Sequence, residues 1–238
     1  MSETPVFEGS DGRFVASEHA RGPWDPNAQH GGAPAALLVR AFERLPSSDG
    51  LKLARVTYEF VRPAPVGPVE VRAEIVRPGK RVQLLEASML ADGVEVVRAR
   101  ALQVRMADAE AADVQDGAPP PGPEQGQPAE LHPPHRPMFA LDAIEIVFVA
   151  GETPSPLQRL AAAGDFGNGI SATLSWDEYL YINPDLTLYI EREPVDEWIG
   201  LESVTRIAAG GIGVAESVLY DQRGRVGRAT QALLVAPR

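Results

Sequence analysis

Cysteine is absent from this 238-residue chain, which excludes disulfides, thiolate catalysis and sulfur-ligated metals and is compatible with a reducing compartment. Long apolar runs are absent too. No stretch of about 18 apolar residues exists to cross a bilayer, and Met1-Ser2-Glu3-Thr4-Pro5 lacks a basic and apolar signal region. A cytoplasmic protein without a membrane span is expected. Positive charge is scarce: the net charge of −11 speaks against nucleic acid as a partner. What is present is 44% hydrophobic content, enough for a good core in one large domain or two small ones. The charge is uneven. From Leu51 to Arg105 ten Lys and Arg face six Asp and Glu, a local net of +4 that suits a small anionic ligand or simply a solvated strand face.

Asn27-Ala28-Gln29-His30-Gly31-Gly32-Ala33-Pro34 opens into Ala35–Leu45, where Leu37, Leu38, Ala41, Phe42 and Leu45 have helical spacing and Pro46 ends the run. Pro34 suits the first helical position. Gly31 and Gly32 offer no side-chain cap, so the first N–H groups are either left for a ligand oxygen or the glycines serve close packing against a sheet. Before the helix, Phe7–Ala20 reads as a strand and Gly22-Pro23-Trp24-Asp25-Pro26 as a turn; after it, Leu51–Phe60, Val66–Val76, Val82–Leu90 and Val94–Arg105 read as strands. Met106–Pro137, with six acids, one Arg and the run Ala118–Pro123, reads as an extended linker. Its His132-Pro133-Pro134-His135 lacks carboxylate or Cys partners, and no metal site is expected.

The second half repeats the first. Phe139–Ala150 reads as a strand, Ser155-Pro156-Leu157-Gln158 as a capping box opening a short helix, and Leu186–Glu193, Trp198–Ile207, Gly213–Tyr220 and Arg225–Val235 as strands. An ungapped offset of 131 positions relates Tyr58 to Tyr189, Pro63 to Pro194, Gly79 to Gly210 and Gly93 to Gly224. A tandem pair of α+β domains follows, with limits of 1–106, 107–137 for the linker and 138–238. Polar residues found in one copy alone are candidates for chemistry. At this offset Asp185 matches Ala54, Thr205 matches Glu74 and Gln231 matches Arg100. A carboxylate, a hydroxyl and an amide can position and deprotonate water while helix N–H groups polarise a carbonyl, which suits hydrolysis of an activated acyl group at a composite site. Each also has a structural role open to it, as a turn or strand residue.

Gln29-His30-Gly31-Gly32 before the helix, with Asp165-Phe166-Gly167-Asn168-Gly169 and Ile182-Asn183-Pro184-Asp185-Leu186-Thr187 in the second unit, resembles the acyl-CoA thioesterase superfamily, more narrowly its acyl-CoA thioesterase II type. The resemblance implies a tandem double hotdog, each unit an antiparallel sheet around a central helix. It implies hydrolysis of acyl-CoA thioesters without a cofactor, and a homodimer. An Asp, a Thr or Ser and a Gln of the second hotdog order the attacking water in that family; carried over, they fall on Asp185, Thr205 and Gln231. Gly31 and Gly32, with His30, would polarise the carbonyl. Arg55, Arg72, Arg77, Lys80 and Arg81 are the candidates for the CoA phosphates. Two other readings stand beside it: an enoyl-CoA hydratase of the same fold using Asp25 and His30, and an acyl-CoA binding protein without turnover.

Overall fold

The computed structural model describes residues 4–47, 50–106, 122–125, 138–139, 150–195 and 197–238. The expected linker, apart from 122–125, and nearly all of the expected strand over 139–150 lie outside these residues. Among the described residues no helix is long and apolar enough to cross a membrane.

The first expected strand is a hairpin, β1 (Phe7–Ser10) and β2 (Arg13–Ala16). Asp11 and Gly12 both take positive φ between them, the two-residue turn that Asp-Gly favours. Helix α1 follows (Gly32–Glu43), then β3 (Leu51–Phe60), β4 (Pro68–Arg77), β5 (Val82–Ala91) and β6 (Val94–Arg105). The second half has α2 (Pro156–Gly164), a four-residue turn of helix α3 (Gly167–Ile170), and the strands β7 (Tyr179–Ile182), β8 (Asp185–Ile190), β9 (Gly200–Ile207), β10 (Ile212–Asp221) and β11 (Gly224–Pro237). The short β7 is absent from the sequence reading.

These strands form one antiparallel sheet in the order β1-β2-β4-β5-β6-β3-β8-β11-β10-β9, with β7 also on β11. The seam is β3 against β8, where Thr57 stands opposite Thr187 and the two hydroxyls lie 3.2 Å apart. That pair marks a pseudo-two-fold axis, and 130 positions separate its members. The same spacing relates Ala73↔Ala87 to Ser203↔Ser217 and Met89↔Val97 to Leu219↔Gly227. The expected offset of 131 is therefore one residue too long. A slip of one exchanges the two faces of a strand: at 131 the buried Tyr58 would match Tyr189, which is 53% exposed, whereas at 130 it matches the buried Leu188. The true counterparts of Asp185, Thr205 and Gln231 are Arg55, Ile75 and Ala101.

α1 starts at Gly32, two residues before the expected place, so Pro34 is its third residue. A proline is tolerated there because the first four N–H groups have no partner in the helix. Nearly every residue from Gly32 to Phe42 is buried, since the N-terminal sheet wraps one side of α1 and α2 covers another. The expected one-sided stripe thus becomes a helix buried nearly all round, its one buried charge, Arg40, paired with Glu152 (2.6 Å). α1 and α2 run antiparallel. At one end the Ser155 hydroxyl donates to Glu43 Oε1 (2.6 Å) and the Gln158 amide to Oε2 (2.7 Å); at the other, Gly32 meets the carbonyl of Ala162. Ser155 Oγ also accepts the Gln158 N–H as the expected cap (3.1 Å), while the Gln158 side chain turns to Glu43 instead of closing the capping box. The core includes Leu37, Leu38, Phe42, Tyr58, Leu85, Met89, Leu160, Leu186 and Leu188.

A Cβ on Gly32 would lie 2.6 Å from the Ala162 carbonyl oxygen and 3.0 Å from the Phe139 ring. Gly32→Ala is therefore expected to force the helices apart and lower the unfolding free energy by roughly 1–3 kcal/mol, measured by urea denaturation; an unchanged midpoint would refute this account of the helix pairing.

Candidate active site

The antiparallel helices bring the start of α1 onto the end of α2, and there the chain buries a carboxylate. Asp165, the residue that ends α2, is 3% exposed. Its Oδ1 accepts the Asn183 amide at 2.7 Å and the Gln231 amide at 2.9 Å; its Oδ2 lies 3.1 Å from His30 Nδ1. The Gln231 Nε2 also reaches the Asp165 main-chain carbonyl (3.3 Å), and its Oε1 accepts the Asn168 N–H of α3 (3.2 Å), so the amide is oriented from both ends. Asn183 comes from the turn between β7 and β8, Gln231 from the inner face of β11, and His30 from the first unit.

Burial dominates the electrostatics. It pushes the Asp165 carboxyl up to about 7, against the opposing pull of Asn183, Gln231 and the Gly32 N–H. It pushes His30 down to about 4, for the imidazole is enclosed by Phe139 (5.5 Å, stacked) and Phe166 (5.1 Å, edge-on). Near neutrality the imidazole is uncharged and the carboxyl stands close to its own midpoint. Tyr58, whose hydroxyl donates to the Ala35 carbonyl, is raised by burial first and then by Asp165 and Glu43.

The two glycines serve close approach. A Cβ on Gly31 would stand 2.7 Å from Asp165 Oδ2 and 2.8 Å from the Phe60 ring. The Gly32 N–H is not open to a ligand, because His30 Nδ1 accepts it at 3.0 Å; no side-chain cap bonds from Gly31 itself. Among the described residues the Gly31 N–H has no protein partner.

Of the carboxylate, hydroxyl and amide expected on Asp185, Thr205 and Gln231, Gln231 alone is in this cluster. Asp185 sits at the head of β8, where its Oδ1 accepts the Ala232 N–H (2.7 Å). Thr205 is buried on the inner face of β9, but its hydroxyl pairs with Ser171 (2.7 Å). Asp185 belongs to the Asn183-Pro184-Asp185 turn; the carboxylate that meets Gln231 is Asp165, and its other amide partner is Asn183. A signal for Asp165 was present: from Leu160 to Trp176 it is the only charged residue, with no basic neighbour to satisfy it. Asp25 caps the Asn27 N–H (2.8 Å) and makes no pair with His30.

The basic candidates do not converge on the site. Arg77 ends β4, with Lys80 and Arg81 in the following turn, and Val82 lies in one row with Val104 and Lys52 near the start of β3. The site adjoins the other end, where the Phe60 N–H bonds the Pro184 carbonyl, roughly 25 Å along the strand. Arg72 is exposed and paired with Glu70 (2.9 Å), and Arg55 lies on β3, its Nε buried without a partner among the described residues. A cleft of about 180 Å³ beside α1 is walled by Phe14, Leu37, Ala41, Leu45 and Val71 together with Arg40 and Arg44; His30, Asp165 and Gln231 do not line it.

Two sheets joined edge to edge around paired central helices are the double-hotdog fold, and comparison with known proteins places it. A candidate thioesterase II from Thermobifida fusca YX matches with a TM-score of 0.70 at 20% identity, over 98% of this chain and 96% of that one. An acyl-CoA thioesterase II, TesB2, from Mycobacterium marinum matches with a TM-score of 0.67 at 15% identity, over 98% and 96%. A hotdog-fold protein from Alicyclobacillus acidocaldarius matches with a TM-score of 0.69 at 18% identity, over 98% and 95%. No curated protein sequence matches. The family models for the acyl-CoA thioesterase N-terminal and C-terminal domains match residues 20–104 and 106–235. The chain belongs to the acyl-CoA thioesterase family and is a thioester hydrolase.

The buried pair gives stability a pH dependence of known sign. Between 3.8 and about 7 the folded chain holds the Asp165 proton more tightly than the unfolded chain, so this contribution is full below 3.8 and is lost as pH rises. His30 acts oppositely, adding stability as pH rises from about 4 to 6.5. Asp165→Asn removes the first effect alone. Relative to the parent it should gain stability between pH 5 and 8, on the order of 3 kcal/mol at pH 8, read from urea midpoints; a parallel pair of pH curves would contradict a buried, raised Asp165.

Proposed function

We propose that the chain hydrolyses acyl-CoA thioesters with Asp165 as general base, and that Asp165, not Asp185, is the carboxylate of the water-ordering set. The observation that carries this is the burial of Asp165 at the start of α1, with one oxygen fixed by Asn183 and Gln231 and the other turned to His30 and Gly31. A base whose proton affinity lies near neutrality is ionised often enough to act yet basic enough to take a proton. The two amides hold Oδ1, so Oδ2 receives the proton of water as its oxygen attacks the thioester carbonyl carbon. The Gly31 N–H, at the positive end of α1, supports the developing oxyanion. Collapse of the adduct breaks the carbon–sulfur bond, and the proton on Asp165 passes to the departing CoA sulfur. His30, kept neutral by burial, accepts the Gly32 N–H and so fixes the start of α1 against the carboxylate.

The Asn183 amide replaces the hydroxyl that the family resemblance leads one to expect. An amide donates to the carboxylate as a hydroxyl does, without titrating. The hydratase reading loses its pair, since Asp25 is engaged with Asn27.

Release of free thiol from a series of short, medium and long acyl-CoAs tests the reaction, and Asp165→Asn tests the base. The variant is expected to fold and to lose at least roughly a hundredfold in kcat; turnover at the parent rate would remove Asp165 from the mechanism. For the parent, kcat should rise with pH through about 7 and level above it as the carboxyl ionises.

A further inference from the structure

Asp185 remains without a role in this chemistry, yet its position is unusual. β11 pairs with β8 as far as Thr230↔Thr187 and with β7 from Leu234↔Ile182. The stretch Gln231–Leu233 faces the gap between those ladders, where the chain turns through Asn183 and Pro184, and Pro184 has no N–H to offer. The Ala232 N–H points into the gap, and the Asp185 carboxylate accepts it at 2.7 Å in place of a backbone partner. The Asp185 main-chain carbonyl accepts the Asn183 side-chain amide at 3.2 Å. On the far side the Pro184 carbonyl is tied to the Phe60 N–H of β3 at 2.8 Å.

We propose that Asp185 is a positioning residue: by bridging the gap from the Asn183 turn to the peptide that follows Gln231, it sets both amides that grip Asp165 Oδ1. One residue thus links the two donors, its side chain through the Ala232 N–H and its main-chain carbonyl through the Asn183 amide. The pseudo-two-fold counterpart, Arg55, follows a one-residue irregularity at Ala54, but β3 pairs with β6 on both sides of it and Arg55 itself stands opposite Leu102, so it has no such gap to bridge. This inference rests on Asp165 as the base. Its effect is exerted through Asn183 and Gln231, and not by contact with substrate.

Asp185→Ala and Asp185→Asn, assayed by thiol release on an acyl-CoA that the parent turns over, test it. Asn retains an oxygen that accepts the Ala232 N–H, so it should keep kcat within a factor of about three. Ala unties the β8 turn that carries Asn183 from the peptide that follows Gln231, and kcat should fall by up to roughly a hundredfold with KM little changed, as for a misplaced catalytic group. Asn183 and Gln231 both hold the Asp165 carboxyl down, so loosening them should also move the rising limb of the pH–rate profile to higher pH. His30 and Tyr58 also face Asp165, and Glu59 lies opposite Asp185 on β3; all three are unaltered in these variants. Asp185→Ser, polar but too short to bridge the gap, gives the same reading should Ala prove insoluble. A parent-like rate and pH limb in Ala or Ser, or an equal loss in Asn, would overturn the proposal. Full activity of Asp165→Asn would instead overturn the reading on which it rests, so the two failures are distinguishable.

Discussion

The pairing of β3 with β8 is the constraint from which the rest follows. Because Thr57 and Thr187 sit on a pseudo-two-fold axis, each unit is turned end over end against the other. The two central helices must then run antiparallel, and the start of each meets the end of its neighbour. Two symmetry-related junctions result, one at Gly31–Gly32 with Asp165 and one at Ser155–Gln158 with Glu43. Each places a carboxylate of one unit against the opening turn of the other unit's helix, where the helix dipole favours negative charge.

The junctions have diverged by exposure and by the sheet wall beside them. Glu43 is exposed and satisfied by Ser155 and Gln158, so it serves as a surface clamp between the units. Asp165 is buried, and its partners are amides and an imidazole. The inner wall near Asp165 carries Thr205, Ser203, Ser217 and Gln231, where the first unit has Ile75, Ala73, Ala87 and Ala101. Buried hydroxyls and amides must find partners, and an unsatisfied one costs about 1–3 kcal/mol. The short α3 meets that demand: its Asn168 N–H bonds Gln231, and Ser171, just beyond it, bonds Thr205. A Cβ on Gly167 would lie 2.4 Å from Ser217 Oγ, so α3 approaches this wall as closely as a glycine allows. The second unit accordingly has a broken helix where the first has a continuous one.

Much of this was legible in the chain itself. β3 and β6 have the limits that their β-branched runs and flanking turns announce, and the Ser155 cap of α2 is in place, whereas α1 starts two residues early and its Gly32 N–H is taken by His30. The duplication was legible as well, but its register was not. Turn glycines and prolines tolerate a shift of one residue, and only the inward or outward direction of side chains distinguishes 130 from 131. That distinction decided which residues are equivalent, and an offset wrong by one compared inner-face positions of one copy with outer-face positions of the other.

Composition, periodicity and turn chemistry act over a few neighbouring residues, and so the sequence by itself determined most of the longer elements and their order, the presence of a repeat and the family resemblance. The choice between Asp165 and Asp185 lay beyond its reach. Both are acids beside a turn in the second unit, and either suits the local chemistry. The choice depends on which one is withdrawn from water, and burial of Asp165 needs His30 and Gly31 from 134 or more positions earlier and Gln231 from 66 positions later. Solvation and hydrogen bonding at that point are properties of the assembled sheet and helix pair, so the tertiary structure alone decided which carboxylate is held near neutrality and which one braces a strand.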